Sequence, residues 1–147
     1  QRDLRKLVPH VLTEFLQGRR PKLSSGQRRA DWIYVDDVAE AMIAAATAPG
    51  LEGLTLDIGT GALHSVRETV ELIRSILKTA IQPDFGALPD RANEIEPAAD
   101  TTRTRALIGW QSSTPLADGL RHAARWYAEQ LCLSSYAWQD RAAAPAR

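Results

Sequence analysis

Residues 25–49, SGQRRADWIYVDDVAEAMIAAATAP, constrain this chain more than any other stretch, because a basic turn leads into a β-favouring run and then into a helical one. Trp32, Ile33, Tyr34 and Val35 are aromatic or β-branched, which suits a pleated, half-buried surface, whereas Asp36 and Asp37 do not continue a sheet. The pattern predicts a strand that stops at Val35 and a helix capped by Asp37, with Glu40 three residues on to close a capping box. Val38, Ala41, Met42 and Ala45 stand at i, i+3, i+4 and i+7, a stripe expected to be buried, and Pro49 and Gly50 end the helix. Arg28 and Arg29 at the mouth of this unit suit an anion; a solvated basic turn is the competing reading.

On either side the periodicities alternate. Val8, Val11, Leu12 and Phe15 predict a helix over residues 8–17 with Pro9 in its first turn and Gly18 as a left-handed cap. A short strand is expected at 22–24, and the Ser25-Gly26 turn returns the chain, hairpin-like, to the Trp32 strand. Residues 54–58, LTLDI, alternate as a strand does, and Gly59-Thr60-Gly61 breaks them. Ser65 and Glu68 form a capping box ahead of Val66, Val70, Ile73 and Leu77, with Lys78 expected in the last turn. A weak strand is expected at 83–86 and an irregular loop at 88–99. Asp100 then caps a helix that Gly109 stops, and Thr114 with Pro115 opens a last helix through Leu116, Leu120, Ala124 and Tyr127.

The 147 residues suffice for one domain with a core. No apolar run of membrane length or signal segment is present, so the reading is cytoplasmic, with no membrane partner. Gln1 at the start and a sole methionine at Met42 read as a piece of something longer or a processed product. The net charge of zero hides segregation: residues 1–29 hold eight Lys/Arg against two Asp/Glu, and residues 30–100 hold four against thirteen. The basic segment has only Phe15 as an aromatic, so a small anion fits it better than nucleic acid. Cys132 stands alone, excluding an intrachain disulfide, and His10, His64 and His122 have no metal-ligand spacing. Gly59-Thr60-Gly61 lacks the third glycine of a dinucleotide fingerprint and reads as a turn. Tyr34, Tyr127 and Tyr136 are followed four residues later by Val38, Leu131 and Asp140, so no tyrosine has a lysine at that spacing.

An ordered series of motifs over residues 4–128 resembles the NAD-dependent epimerase/dehydratase family, the extended short-chain dehydrogenases acting on nucleotide-sugars. Leu7-Val8-Pro9 followed by Gly18 resembles its helix before a small strand. The run from Asp31 to Ala39 resembles "RDFVYVDDVA", Asp57-Ile58-Gly59-Thr60-Gly61 resembles "NIGSG", and Ser65-Val66-Arg67-Glu68 resembles "SIRE". Ala99-Asp100 with Leu107, Gly109 and Trp110 is similar to "AD…LGW", and residues 116–127 to "SLEEGLRRTVEWY".

The resemblance implies an α/β fold: the C-terminal part of a doubly wound, Rossmann-like extended short-chain dehydrogenase with a small, mostly helical substrate lobe, over residues 1–133; residues 134–147, ending AAAPAR, show no periodicity and are expected to be a frayed tail. It implies binding of a nucleotide-diphosphate sugar, with NAD or NADP in the parent enzyme but none held by these residues alone, since the glycine loop and Tyr-x-x-x-Lys pair are absent. The missing N-terminal half or a homo-oligomer is the implied protein partner. Arg91 with Glu94 resembles the family's Arg-Pro-Gly-Asp turn, whose arginine clamps the diphosphate. The family's other arginine is replaced by Ala30, so Arg28, or secondarily Arg29, is expected to serve. Lys6 and Leu7 match positions that hold the base, and Leu23 to Ser25 the strand against it; Asp36, Asp37, Ser65 and Glu68 are assigned to capping. The alternative is a non-catalytic nucleotide-binding or protein-interaction remnant of that fold.

Overall fold

The computed structural model describes residues 3, 5–90, 92, 96 and 98–132. Along them run α1 (Leu7–Leu16), β1 (Lys22–Leu23), β2 (Arg29–Asp31), α2 (Val35–Thr47), β3 (Leu63–Ser65), α3 (Val66–Ile76), β4 (Asp84–Phe85), α4 (Thr101–Ile108) and α5 (Leu116–Gln130). The helices form where local signals are strong. Pro9 falls in the first turn of α1, where its missing amide costs nothing, and Gly18 takes φ +73° just past the end. Ser65 Oγ accepts from the Glu68 amide at 3.1 Å while the Ser65 amide donates to Glu68 Oε2 at 2.7 Å, so the capping box of α3 is closed on both sides. Asp100 caps α4 by accepting from the Arg103 amide, and Gly109 ends it at φ +66°.

Helices α1, α3 and α5 enclose the core. Val66, Val70, Ile73 and Leu77, the predicted stripe of α3, are all buried against Val11, Leu12 and Phe15 of α1 and Leu120, Ala124 and Tyr127 of α5. Each such aliphatic side chain contributes about 1.5–3 kcal/mol as an upper estimate. Two small sheets flank this core. β1 pairs with β4 in parallel (Leu23 opposite Phe85), and β2 pairs with β3 antiparallel (Ala30 opposite His64).

Several expectations fail, for identifiable reasons. β1 and β2 do not return on each other as a hairpin; each takes a partner from a distant segment. The strand expected to run to Val35 ends at Asp31, and α2 starts at Val35 with extended Tyr34 as its N-cap and no side-chain cap. Asp37 is therefore not the cap of a box with Glu40. It is 2% exposed and accepts from Ser113 Oγ at 3.2 Å and from the Thr114 amide and hydroxyl at 3.1 and 3.0 Å. That tie also takes Thr114 away from α5, whose N-cap is Pro115. In the α2 stripe Ala41 is buried and Val38 and Ala45 are partly so, but Met42 is 66% exposed. Residues 54–58 form no strand, and among the described residues no backbone hydrogen bond ties 55–58 to another backbone group. A strand exists only with a paired neighbour, and none pairs with them among the described residues. Arg74, not Lys78, occupies the last turn of α3; Lys78 lies past the C-cap with φ +49°. The tail expected at 134–147 lies outside the described residues. No helix among those described is long and apolar enough to cross a membrane.

Candidate functional site

A cleft of about 1340 Å³ opens between the N-terminal end of α1, the β1–β2 loop and the inner side of α5. Lys6, Leu7, Leu23, Ser25 and Arg28, which come from two separate segments of the chain, all line it. Arg29 does not: its guanidinium donates to the Leu63 carbonyl at 2.9 Å and its amide to Glu96 Oε1 at 2.7 Å, so it fastens β2 to its surroundings. Arg91 and Glu94 lie outside the described residues. The cleft has cations in Arg5, Lys6, Lys22 and Arg28 and carboxylates in Asp3, Asp31, Asp90 and Glu96, with apolar walls from Leu7, Leu23, Leu116 and Leu120. Polar groups converging on an apolar hollow are the usual make-up of a small-molecule site.

The wall at residues 24–26 is fixed from three directions. Asp90 Oδ1 accepts from both the amide and the hydroxyl of Ser25, at 3.1 and 2.9 Å, and these bonds, the hydroxyl's first, hold the Asp90 carboxyl below its ordinary pKa. Arg67 donates to the Ser25 carbonyl at 2.8 Å, its amide donates to the Gly26 carbonyl, and its guanidinium lies 3.8 Å over the Phe85 ring. Gly26 is required here: φ is +79°, and a Cβ would stand 2.9 Å from the Phe85 ring.

Asp31, which also lines the cleft, ties two distant segments to β2. Its carboxylate accepts from the Thr60 amide at 2.9 Å, the Thr60 hydroxyl at 2.6 Å, the Gly61 amide at 2.8 Å and the Ala99 amide at 3.3 Å. Burial pushes this carboxyl up, and the four donors pull it further down, leaving it below its ordinary value. A Cβ on Gly59 would meet Asp31 Oδ2 and Ala99 Cβ at 2.6 Å, which explains the glycine. The arrangement also tests the fit of a dinucleotide. The Thr60 and Gly61 amides, the donors a pyrophosphate would need, are already committed to a carboxylate of its own sign. The 59–61 turn therefore does not offer its amides to that group.

Tyr34 and Tyr127 also line the cleft. Burial raises both phenols, and Asp36 raises Tyr34 further, opposite to what a tyrosine acting as a base requires. Tyr34 stands edge-on to His122 with centroids 5.4 Å apart, against Gly119, where a Cβ would come within 3.3 Å of it. No cluster of metal-ligand type is found among the described residues. The sequence alone assigned no site role to Asp31, Tyr34, Asp90 or Tyr127; Asp90, next to Arg91 in the sequence, carried the clearest missed signal.

Residues 1–59 match the model of the NAD dependent epimerase/dehydratase family. The chain is 34% identical over 127 residues to the dTDP-glucose 4,6-dehydratase of Mycolicibacterium smegmatis, covering 83% of this chain and 37% of that protein. It is 31% identical over 114 residues to the UDP-glucose 4-epimerase of the same organism, covering 76% and 36%. Among solved structures, it resembles a UDP-glucose 4-epimerase from Thermotoga maritima with UDP-glucose (TM-score 0.78, 23% identity, 86% and 40% covered). A dTDP-glucose 4,6-dehydratase from Bacillus anthracis in complex with NAD overlays at TM-score 0.77 with 24% identity, 86% and 40% covered. The fold is thus the C-terminal part of a Rossmann-like extended short-chain dehydrogenase. In sequence and in fold the chain matches the C-terminal portion of the NAD-dependent epimerase/dehydratase family, and it spans a little over a third of the length of the curated relatives it matches.

Proposed function

We propose that these residues form the nucleotide-diphosphate-sugar-binding portion of an NAD(P)-dependent epimerase or dehydratase, in which a hexose hydroxyl is oxidised transiently by hydride transfer. In this reading Lys6, Leu7 and the Leu23–Ser25 wall hold the base, and Arg28, with Arg91 and Glu94, holds the diphosphate. The observation that carries it is that Lys6, Leu7, Leu23, Ser25 and Arg28 line one cleft. A guanidinium suits the task because its planar fork donates to two phosphate oxygens at once. The hydride machinery lies in polypeptide other than these 147 residues, which contain neither a glycine-rich dinucleotide loop nor a tyrosine with lysine at i+4. Taken alone they bind without turnover.

Calorimetric titration with UDP-glucose and dTDP-glucose tests this. Saturable heat is expected with at least one of them, and Arg28→Ala is expected to weaken it about ten- to a hundredfold, the worth of one charged hydrogen bond at about 1.5–3 kcal/mol. A folded sample that gives no heat with either, or an Arg28→Ala variant that binds unchanged, overturns the proposal.

A further inference from the structure

Among the described residues lining the cleft, His10 is the only histidine. It lies one turn beyond Lys6, whose carbonyl accepts from its amide at 3.0 Å, and it is partly buried. Side chains three and four apart on a helix are neighbours, so Lys6, Leu7 and His10 turn one edge of α1 to the cleft while Val11, Leu12 and Phe15 turn to the core. Glu14, a further turn along, is taken by another partner. Arg19 donates to both of its oxygens, at 3.0 and 2.6 Å, and that pairing first, with the charge of His10 a lesser cause, holds its carboxyl below the usual range. The other charged groups of the cleft are Asp3, Arg5 and Lys6 ahead of α1, Lys22 on β1, Arg28 and Asp31 in and before β2, and Asp90 and Glu96 after β4. Helices α3 and α5, which pack on α1, add no ionising side chain to the cleft besides Tyr127. Carboxylates, lysines and arginines titrate by type far from neutrality, and burial pushes the Tyr34 and Tyr127 phenols further from it. Histidine is the residue type here that changes charge between about pH 5 and 8.

We infer that His10 is a further binding residue of the cleft, one that couples its affinity for a nucleotide diphosphate to the uptake of a proton. The inference rests on the sugar-nucleotide reading of the cleft and adds its regulation. Protonated, the ring offers two N–H donors and a full charge beside Lys6; neutral, it offers one donor and one lone pair that an anion avoids. A ligand that prefers the protonated ring takes up a proton as it binds, so affinity rises as pH falls from about 8 to about 6. The cleft is then a graded anion receptor, tighter in mildly acidic surroundings and looser in alkaline ones.

The test is calorimetric titration of the 147-residue chain with UDP-glucose and dTDP-glucose at about pH 6, 7 and 8. Their diphosphates are esterified at both ends and keep their charge across this window, so a slope belongs to the protein. Kd is expected to fall about fivefold or more from pH 8 to pH 6, what one charge pair about 4 Å apart contributes even at the dielectric of water. Near pH 7 the heat should vary with the ionisation enthalpy of the buffer in the sense of proton uptake. His10→Gln should abolish both the slope and the uptake, whereas His10→Lys, a permanent cation, should bind tightly at every pH; circular dichroism checks that each variant folds. His122→Gln, which removes the ring edge-on to Tyr34 outside the cleft lining, should keep the wild-type slope. A flat wild-type profile, a slope that survives His10→Gln, or one that His122→Gln alone removes overturns the inference. No heat at any pH removes the sugar-nucleotide reading and this inference with it; saturable heat that is independent of pH removes the inference alone.

Discussion

Asp31 brings together three segments, since its carboxylate accepts from residues 29, 30 and 68 positions further along the chain. Asp31→Asn keeps the shape but turns an amide group toward donors, so a loss of about 2 kcal/mol is expected in urea unfolding near neutral pH. The sign of its pH dependence follows from a folded-state pKa below the ordinary value. The stabilisation is fully present above the ordinary aspartate range and is lost as pH falls through the lower native value, so the gap between wild type and Asp31→Asn should close in acid. At this scale the sequence was only partly legible. Asp31 stood out as a motif member, but partners so distant leave no local pattern. Arg28 and Arg29 are indistinguishable in a string of letters; in space one lines the cleft and the other is fastened to Leu63.

The elements that could be read in advance are those whose signals are local. The caps of α3 and α4, the proline of α1 and the stripes of α3 and α5 all sit within a few residues of what they control. Ser65→Ala removes one half of the α3 box and is expected to cost about 1 kcal/mol, or ~3 °C in Tm for a chain of this size, by thermal melting. Because α3 packs on both α1 and α5, the loss should appear in the global transition and not as fraying of one helix. Strands were legible only as composition. LTLDI has the right alternation, but a ladder depends on what lies beside it, which no window of sequence contains.

On the scale of the whole molecule, two regions are held by different forces. The α1, α3 and α5 core is apolar, whereas the α2–α4 side joins the rest through polar ties: Asp37 to Ser113 and Thr114, Asp31 to the 60–61 turn, and the Thr104 hydroxyl donating to the Asp57 carbonyl at 2.7 Å. Directional bonds break together once one partner moves, so amides of α2 and α4 should exchange through a lower-energy opening than those of α1, α3 and α5. Asp37→Ala leaves the Ser113 and Thr114 donors without their acceptor and should lower that opening by about 2 kcal/mol while changing the core's protection less, as hydrogen exchange by mass spectrometry would register. The clamp of Asp90, Arg67 and Phe85 on residues 24–26 has a further consequence. A visitor to the cleft meets a rim already ordered before it arrives, so little chain entropy is lost on that side. Related visitors should then differ mainly in how slowly they depart.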